Sequence, residues 1–303
     1  MPNITEREQA NREVEELIAS GNYPVVDLSI FEKVEAIKIE ELTKDHMEYT
    51  KELYDNYLKQ LEELDKESRI KYLIALKSAD IIDNQKLEKE NSFLLSIYMQ
   101  TMRDSAIDEL IKIKGTNLTS DDIIKIHQML LMGTSSSSLA NKRYRDDNTK
   151  FVGHMEAGIK IVDYFPIQAK DIPTAMEKFT DNYNNFNHEN FDIFIKPFIS
   201  HGLMAGLQMF DDGNTRMGRL LQHYMIWNNT NQVSSKGIEL PAIYATRAYY
   251  PHRGEYRSHI KNIAIKGDNE SWNKWFNFNL NRIDDTLFLS EENLTQYRRI
   301  IKK

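Results

Sequence analysis

The feature that most constrains this chain is a short polar interruption between two apolar runs. Phe198-Ile199-Ser200-His201-Gly202-Leu203-Met204-Ala205-Gly206-Leu207 reads as a buried helix. Leu220-Leu221-Gln222-His223-Tyr224-Met225-Ile226-Trp227 reads as another. Between them stands Gln208-Met209-Phe210-Asp211-Asp212-Gly213-Asn214-Thr215-Arg216-Met217-Gly218-Arg219. Gly213 tolerates positive φ and allows a sharp turn. Asn214 suits the N-cap of the following helix. The segment is therefore expected to form a tight helix–loop–helix corner.

Such a corner has a definite chemistry. The first N–H groups of a helix lack partners within it, and the helix dipole adds positive character. Together they form an anion site. Arg216 and Arg219 are three residues apart and project from one face of the first turns. Two guanidinium forks beside bare N–H groups suit a di- or triphosphate. Asp212 offers a hard oxygen ligand for Mg2+ held against the same phosphates. The same residues also fit an ordinary Asp-Gly turn whose arginines make surface ion pairs, and the local pattern does not choose between the two.

Composition removes several classes. The net charge of −7 argues against nucleic acid and anionic membrane as partners. With no cysteine there is no disulfide framework, thiol nucleophile or thiolate metal site. The first residues are polar and carry no apolar signal region, and no apolar run approaches a membrane span. A cytoplasmic chain with no membrane contact is the expectation, and a homo-oligomer is compatible with it. No His, Asp or Glu spacing suggests zinc.

The corner resembles the signature of the Fic family, His-x-Phe-x-(Asp/Glu)-Gly-Asn-(Gly or Thr)-Arg-x-x-Arg. Phe210, Asp212, Gly213, Asn214, Arg216 and Arg219 match it, with Thr215 where Gly is commoner. Four further stretches extend the resemblance over residues 116 to 280. Leu118 to Leu131 is similar to the opening core helix, and Lys142-Arg143-Tyr144-Arg145 to a Gly-x-Tyr-Arg region with Lys for Gly. Tyr164-Phe165-Pro166 is similar to Tyr-x-Pro. Ala248-Tyr249-Tyr250, Gly267-Asp268 and Trp272 are similar to the closing helices. The implied fold is mainly α, a Fic-type helical core with a short β-hairpin flap. An N-terminal helical region over 1–115 precedes the core and C-terminal helices over 116–303.

The resemblance implies a protein adenylyltransferase (AMPylation). In that reaction a target hydroxyl attacks the α-phosphate of ATP, AMP is transferred, and pyrophosphate leaves. Asp212 would hold Mg2+. Gly213, Asn214, Thr215, Arg216 and Arg219 would bind the nucleotide, with Asn214 and Arg216 also serving catalysis. Residues 150–162 would form the flap, which pairs with an extended segment of the target protein. The departure is at Gln208, where the family carries its general-base histidine. An amide cannot take a proton at neutral pH. The chain as written is therefore expected to be weak or inactive. A nucleotide-binding pseudoenzyme and a relative moving another phosphate-containing group are the alternatives.

Several other residues carry expectations. Residues 5–19 are expected to be a polar helix. A helix from about 38 to 66 should pack antiparallel on a second apolar stretch that begins near Ile70. Residues 90–113 should form another helix, with Leu94, Leu95, Ile97 and Tyr98 buried. Many Fic proteins carry an inhibitory helix reading (Ser/Thr)-x-x-x-Glu-(Gly/Asn). Ser105 and Glu109 fit in part, and Lys86 with Glu90-Asn91 fits in part, which makes Glu109 the candidate partner of Arg219. His127 and His201 are expected in the core. His154 and His223 are the nearer substitutes for a missing base. Tyr249 and Tyr250 either flank an adenine or pack in the core. Lys142, Arg143 and Arg145 either meet a phosphate or form a solvated loop.

Overall fold

The chain builds helices wherever its apolar residues recur at helical spacing. The computed structural model describes residues 4–88, 93–113, 117–132, 134–156, 158–185, 193–233 and 238–301. In order these give α1 (Ile4–Ala19), α2 (Ser29–Glu35), α3 (Glu41–Glu62), α4 (Lys66–Glu88), α5 (Phe93–Lys112) and α6 (Ser120–Leu131). A hairpin of β1 (Val152–Glu156) and β2 (Ile159–Tyr164) follows. Then come α7 (Ile172–Asn185), α8 (Ile195–Leu207), α9 (Asn214–Val233), α10 (Thr246–Tyr249), α11 (Arg253–Ile265) and α12 (Asn269–Ile301). Among the described residues the fold is mainly helical with one two-stranded antiparallel sheet, as expected. The boundary expected near residue 115 falls within residues 114–116, outside those described.

Helix α8 is the centre. It is apolar on nearly every side, as a helix enclosed by others must be, and from Pro197 to Leu207 every residue is buried. It packs against α9, α11, α12 and α7. Trp275 on α12 donates its indole N–H to the Phe198 carbonyl at 2.8 Å, which locks α12 across α8. One continuous apolar cluster runs from Val26 to Leu294.

Helix α3 buries Tyr54, Tyr57, Leu58 and Leu61, spaced three and four apart on one stripe. That stripe touches α4 only at Tyr57, which lies against Tyr72, and α4 is not its main partner, contrary to the sequence expectation. Helix α12 covers it instead, while α4 packs on α10 and α5. The polar pairs show why. Thr43 and the Glu40 N–H both bond the Asn273 amide oxygen, and Thr50 donates to Asp284 at 2.8 Å. At 33 residues, α12 is long enough to take partners along its whole length. It also receives Tyr72 of α4 at the Ser290 carbonyl.

The N-terminal segment reaches the hairpin too. The Phe165 N–H donates to Pro24, and the Val26 N–H donates to Phe165, both at 2.9 Å. At its root the hairpin is held by buried Tyr164, whose hydroxyl donates to Gly206 on α8. The strands lie close to the expected hairpin, with Gly158 at φ +81° in the turn. Helix α1 matches the expected polar helix, and α5 the expected fourth one. The burial expected for Leu94, Leu95, Ile97 and Tyr98, and the Lys86 and Glu90-Asn91 pattern, fall outside the described residues and side chains.

The α3–α12 contact carries a titratable clamp. His46 Nε2 lies 2.9 Å from Asp284, and Nδ1 lies 3.2 Å from the Asn277 amide oxygen. Both partners are acceptors, so the ring is held as a double donor. The Asp284 hydrogen bond raises the His46 pKa above its ordinary value against the opposing effect of burial. A raised folded-state pKa gives stability that is fully present below the unfolded pKa and is lost as pH rises through the folded one. His46→Ala should therefore cost about 1–3 kcal/mol near pH 5.5 and clearly less at pH 9. Urea denaturation at the two pH values checks this, and an equal loss at both would contradict it.

Candidate functional site

Helix α8 ends where Gln208 turns left-handed, at φ 51° and ψ 50°. It is the one non-glycine residue with positive φ among those described. Such a conformation persists only where surrounding bonds fix it, and it concentrates at functional sites. Here the Gln208 amide donates to the Ala205 carbonyl at 2.5 Å and accepts from Asn214 at 3.2 Å. Gly213 then reverses the chain at φ +80°. A Cβ on Gly213 would stand 3.1 Å from both His127 Nε2 and a Leu131 methyl.

Asn214 does not cap α9, contrary to the sequence expectation. It is the first residue of the helix, and its side chain turns back into the loop. Its oxygen accepts the Phe210 N–H at 3.0 Å, and its nitrogen donates to the Phe210 carbonyl at 2.8 Å. The reason is burial. Phe210 is 1% exposed, and its backbone groups have no access to water.

Every carbonyl of the corner has a donor. Arg145 supplies Gln208 through Nε and Met209 through its backbone N–H. Lys150 supplies Phe210 at 3.0 Å and Asp211 at 2.7 Å. His127 supplies Asp212 at 2.7 Å, and the Met217 N–H supplies Gly213. Burial pushes the Lys150 amine down to about 8 and the His127 ring down to about 4. His127 also stacks on Phe210 with ring centres 3.7 Å apart. The basic cluster is thus not aimed at a phosphate. Lys142 pairs with Asp146 and Asp211, Arg143 with Asp121, and Arg145 is buried against the Asp147 and Ile167 carbonyls.

Asp212 accepts from the Gly213 N–H, from Ser136 and from Arg216 at 2.9 Å. Burial pushes its pKa up, but Arg216, the Ser136 hydroxyl and the Gly213 N–H outweigh burial and hold it below the usual carboxylate value. Its side chain remains 44% exposed. Arg216 and Arg219 are both buried, but they part company. Arg216 turns to Asp212. Arg219, with Thr215 and Gln208, lines a cavity of about 680 Å³. Gly213, Asn214 and Asp212 lie beside this cavity rather than on its wall. The opposite walls are the hairpin, from Phe151 to His154 with Asp163 and Tyr164, and α11, with Arg253, Tyr256, Arg257 and Lys261.

The remaining candidates separate cleanly. His201 is buried between Gln222 at 2.6 Å and Tyr256 at 2.7 Å, and burial pushes its ring down to about 3. His223 is buried too, and its Nε2 accepts the Ala245 N–H, so it does not replace the base. Tyr249 is a core residue bonded to Asn279, Tyr250 lies on the surface, and neither lines the cavity. Glu109 does not meet Arg219. Lys112 at 2.7 Å and Lys125 at 2.6 Å hold its carboxylate and pull its pKa down to about 2. Lys112, one turn along α5, and Lys125 on α6 both reach this carboxylate, whereas Arg219 is buried on α9.

Sequence reasoning missed Lys150, Asp163 and the basic residues of α11. Arg253, Arg257 and Lys261 recur every four residues, which is a legible stripe. Lys150 and Asp163 carry no such signal, because their roles depend on how the hairpin folds back.

Two buried helices meeting at a tight corner beside a hairpin form the part of the chain that known proteins share. Residues 117–226 match the model of the Fic/DOC family. Over that segment, about a third of the chain, the sequence is similar to Fic/DOC domains. The fold is similar to that of a Fic family protein from Desulfovibrio desulfuricans, with a TM-score of 0.57 and 14% identity over 84% of this chain and 76% of that one. A Fic domain containing signaling protein from Bacteroides thetaiotaomicron gives 0.58 and 14%, covering 82% of this chain and 97% of that one. A fragment of C. elegans Fic-1 gives 0.52 and 16%, covering 86% and 73%.

If Asn214 holds the corner as described, Asn214→Ala leaves two buried backbone groups of Phe210 short of a partner. A loss of about 2–4 kcal/mol is expected. Chemical denaturation measures it, and a loss under about 0.5 kcal/mol would contradict that role.

Proposed function

We propose that this chain is a Fic-type protein adenylyltransferase that moves AMP from ATP to a hydroxyl side chain of a target protein. The observation that carries the reading is the joint placement of Arg219, Thr215 and Gln208 on one cavity roofed by the hairpin. The cavity is large enough for a nucleotide. A buried guanidinium at the second turn of α9 supplies charge-assisted bonds to phosphate oxygens where water is scarce. Arg216 acts one step back, fixing Asp212 beside the phosphates. The target segment would add to the hairpin along residues 150–162 as an extended strand.

Mg2+ would bind at Asp212. Among the described residues no group of three or more His, Cys, Asp or Glu could hold a metal. One half-exposed carboxylate nevertheless suits this ion, which takes one or two protein carboxylates and completes its shell with phosphates and water. When bound, it would neutralise charge on the transferring phosphates.

Gln208 limits the reaction. Both ends of its amide are engaged in holding the corner, and neither can accept a proton. General-base catalysis contributes roughly 10²–10⁴-fold, so transfer should be slow while binding persists. That same observation favours the second reading, a nucleotide-binding pseudoenzyme whose output is a complex. Transfer of another phosphate-containing group is the third.

Arg219→Ala should weaken ATP binding at least tenfold by titration calorimetry in the presence of Mg2+. An unchanged affinity would sink the phosphate role of the corner and, with it, all three readings.

A further inference from the structure

The hairpin contains a built irregularity. Val152 pairs with Tyr164 and Gly153 pairs with Val162, so Asp163 is the extra residue of a β-bulge. A bulge re-aims one side chain out of the strand's alternation. Gly153 makes it feasible, since a Cβ there would lie 2.1 Å from the Ile161 carbonyl oxygen. The carboxylate so turned is only 10% exposed. It meets His154 Nδ1 at 3.0 and 3.2 Å and pairs with Lys261 of α11. His154 and Asp163 both line the cavity that contains Gln208, Thr215 and Arg219.

We propose that His154, oriented by Asp163, is the proton acceptor of this chain in place of the histidine that Gln208 replaces. The inference rests on the adenylyl-transfer reading above. A carboxylate at Nδ1 holds the N–H of the neutral ring on that nitrogen, which leaves Nε2 as the basic one. The target hydroxyl oxygen forms its bond to the α-phosphorus of ATP. The bond from that phosphorus to the bridging oxygen of the β-phosphate breaks, and pyrophosphate leaves with the electron pair. The hydroxyl proton passes to His154 Nε2, and later from the imidazolium to water. His154 is well placed for a group on the target, because it sits on the strand that the target would extend, and its side chain is 50% exposed.

The charged groups around His154 are Asp163 on β2, its hydrogen-bond partner, and Lys261, Arg257 and Arg253 on α11, Arg219 on α9 and Lys150 before β1, which line the same cavity. Lys261 shares the Asp163 carboxylate with His154. The arrangement couples the proton acceptor to α11 as well as to the hairpin.

The test uses the full chain with α-labelled ATP, Mg2+ and cell lysate, and follows protein labelling against pH. The unaltered chain should label slowly, with a rate that falls on acidification. His154→Gln should lower that rate about 10²-fold and remove its dependence on pH. Imidazole added to His154→Ala should restore part of the rate, which a structural role would not allow. Gln208→His combined with His154→Gln should label, showing that the variant hairpin is intact. If His154→Gln keeps both the rate and the pH dependence of the unaltered chain, the inference is wrong. If the unaltered chain does not label while Gln208→His does, the inference is wrong and the adenylyl-transfer reading stands. If Gln208→His does not label either, that reading falls and takes this one with it.

Discussion

A single buried carboxamide, that of Asn214, decides the shape of the site. The corner joins two helices that are buried along most of their length, so its own backbone is buried with them. A buried loop is tolerable only if its polar groups are satisfied. Asn214 presents one acceptor and one donor to the two backbone groups of Phe210 and so closes the turn from within. Once Phe210 is fixed, its ring provides the surface on which His127 stacks, and His127 in turn holds the Asp212 carbonyl. The direction of the Asp212 side chain, and hence of Arg216, follows from that. Arg219 is then left to face the cavity one turn further on.

The hairpin is the second consequence. It is not a free arm, because Lys150, just before β1, donates to two carbonyls of the corner. Tyr164 at its other end bonds α8, Asp163 pairs with α11, and Phe165 pairs with the segment before α2. Position in the hairpin is therefore tied to four separate parts of the chain. The N-terminal region contributes to the cavity through this tie, and not through the acidic side chain of α5 that its sequence brings to notice. Glu109 is consumed locally by two lysines within reach of its own turn and of α6.

What could be read from the sequence was what depends on local pattern. The corner was legible because glycine, asparagine and two arginines at fixed spacing sit between apolar runs. The opening of α6 was found by its resemblance to a core helix, and the structure adds that its Thr119 and Asp122 form a reciprocal capping box. The placement of His127 and His201 in the core followed from their apolar neighbours. What could not be read was direction. Asn214 has the composition of a cap, and only the burial of Phe210 turns it backwards. The partner of α3 was misread because two consecutive helices are the default neighbours, whereas α12, more than 200 residues away, offers a longer complementary face. The bulge at Asp163 was invisible because alternation in a strand predicts side-chain direction only where the register is unbroken.

The placement of Gln208 bears on how a corner of this kind would keep its shape with glutamine at a position proposed for a base. In its left-handed turn the residue must supply one donor, to Ala205, and one acceptor, to Asn214. A neutral imidazole supplies one of each from its two nitrogens, and an amide does the same from its nitrogen and oxygen. The two residue types therefore share a hydrogen-bonding capacity, and of the two only the imidazole is basic near neutral pH, once its acceptor nitrogen is released from Asn214. In the proposed reading nucleotide binding would rest on Arg219, Thr215 and the fixed loop, none of which needs the base, so binding and transfer would be separable and proton removal would be the step another group must supply. Among the described residues the one histidine lining the cavity beside Gln208 is on the hairpin, where the target itself would dock. A base placed there would act only when the hairpin holds its bulged register, so the rate of transfer would become a property of the hairpin and α11 together, and no longer of the corner alone.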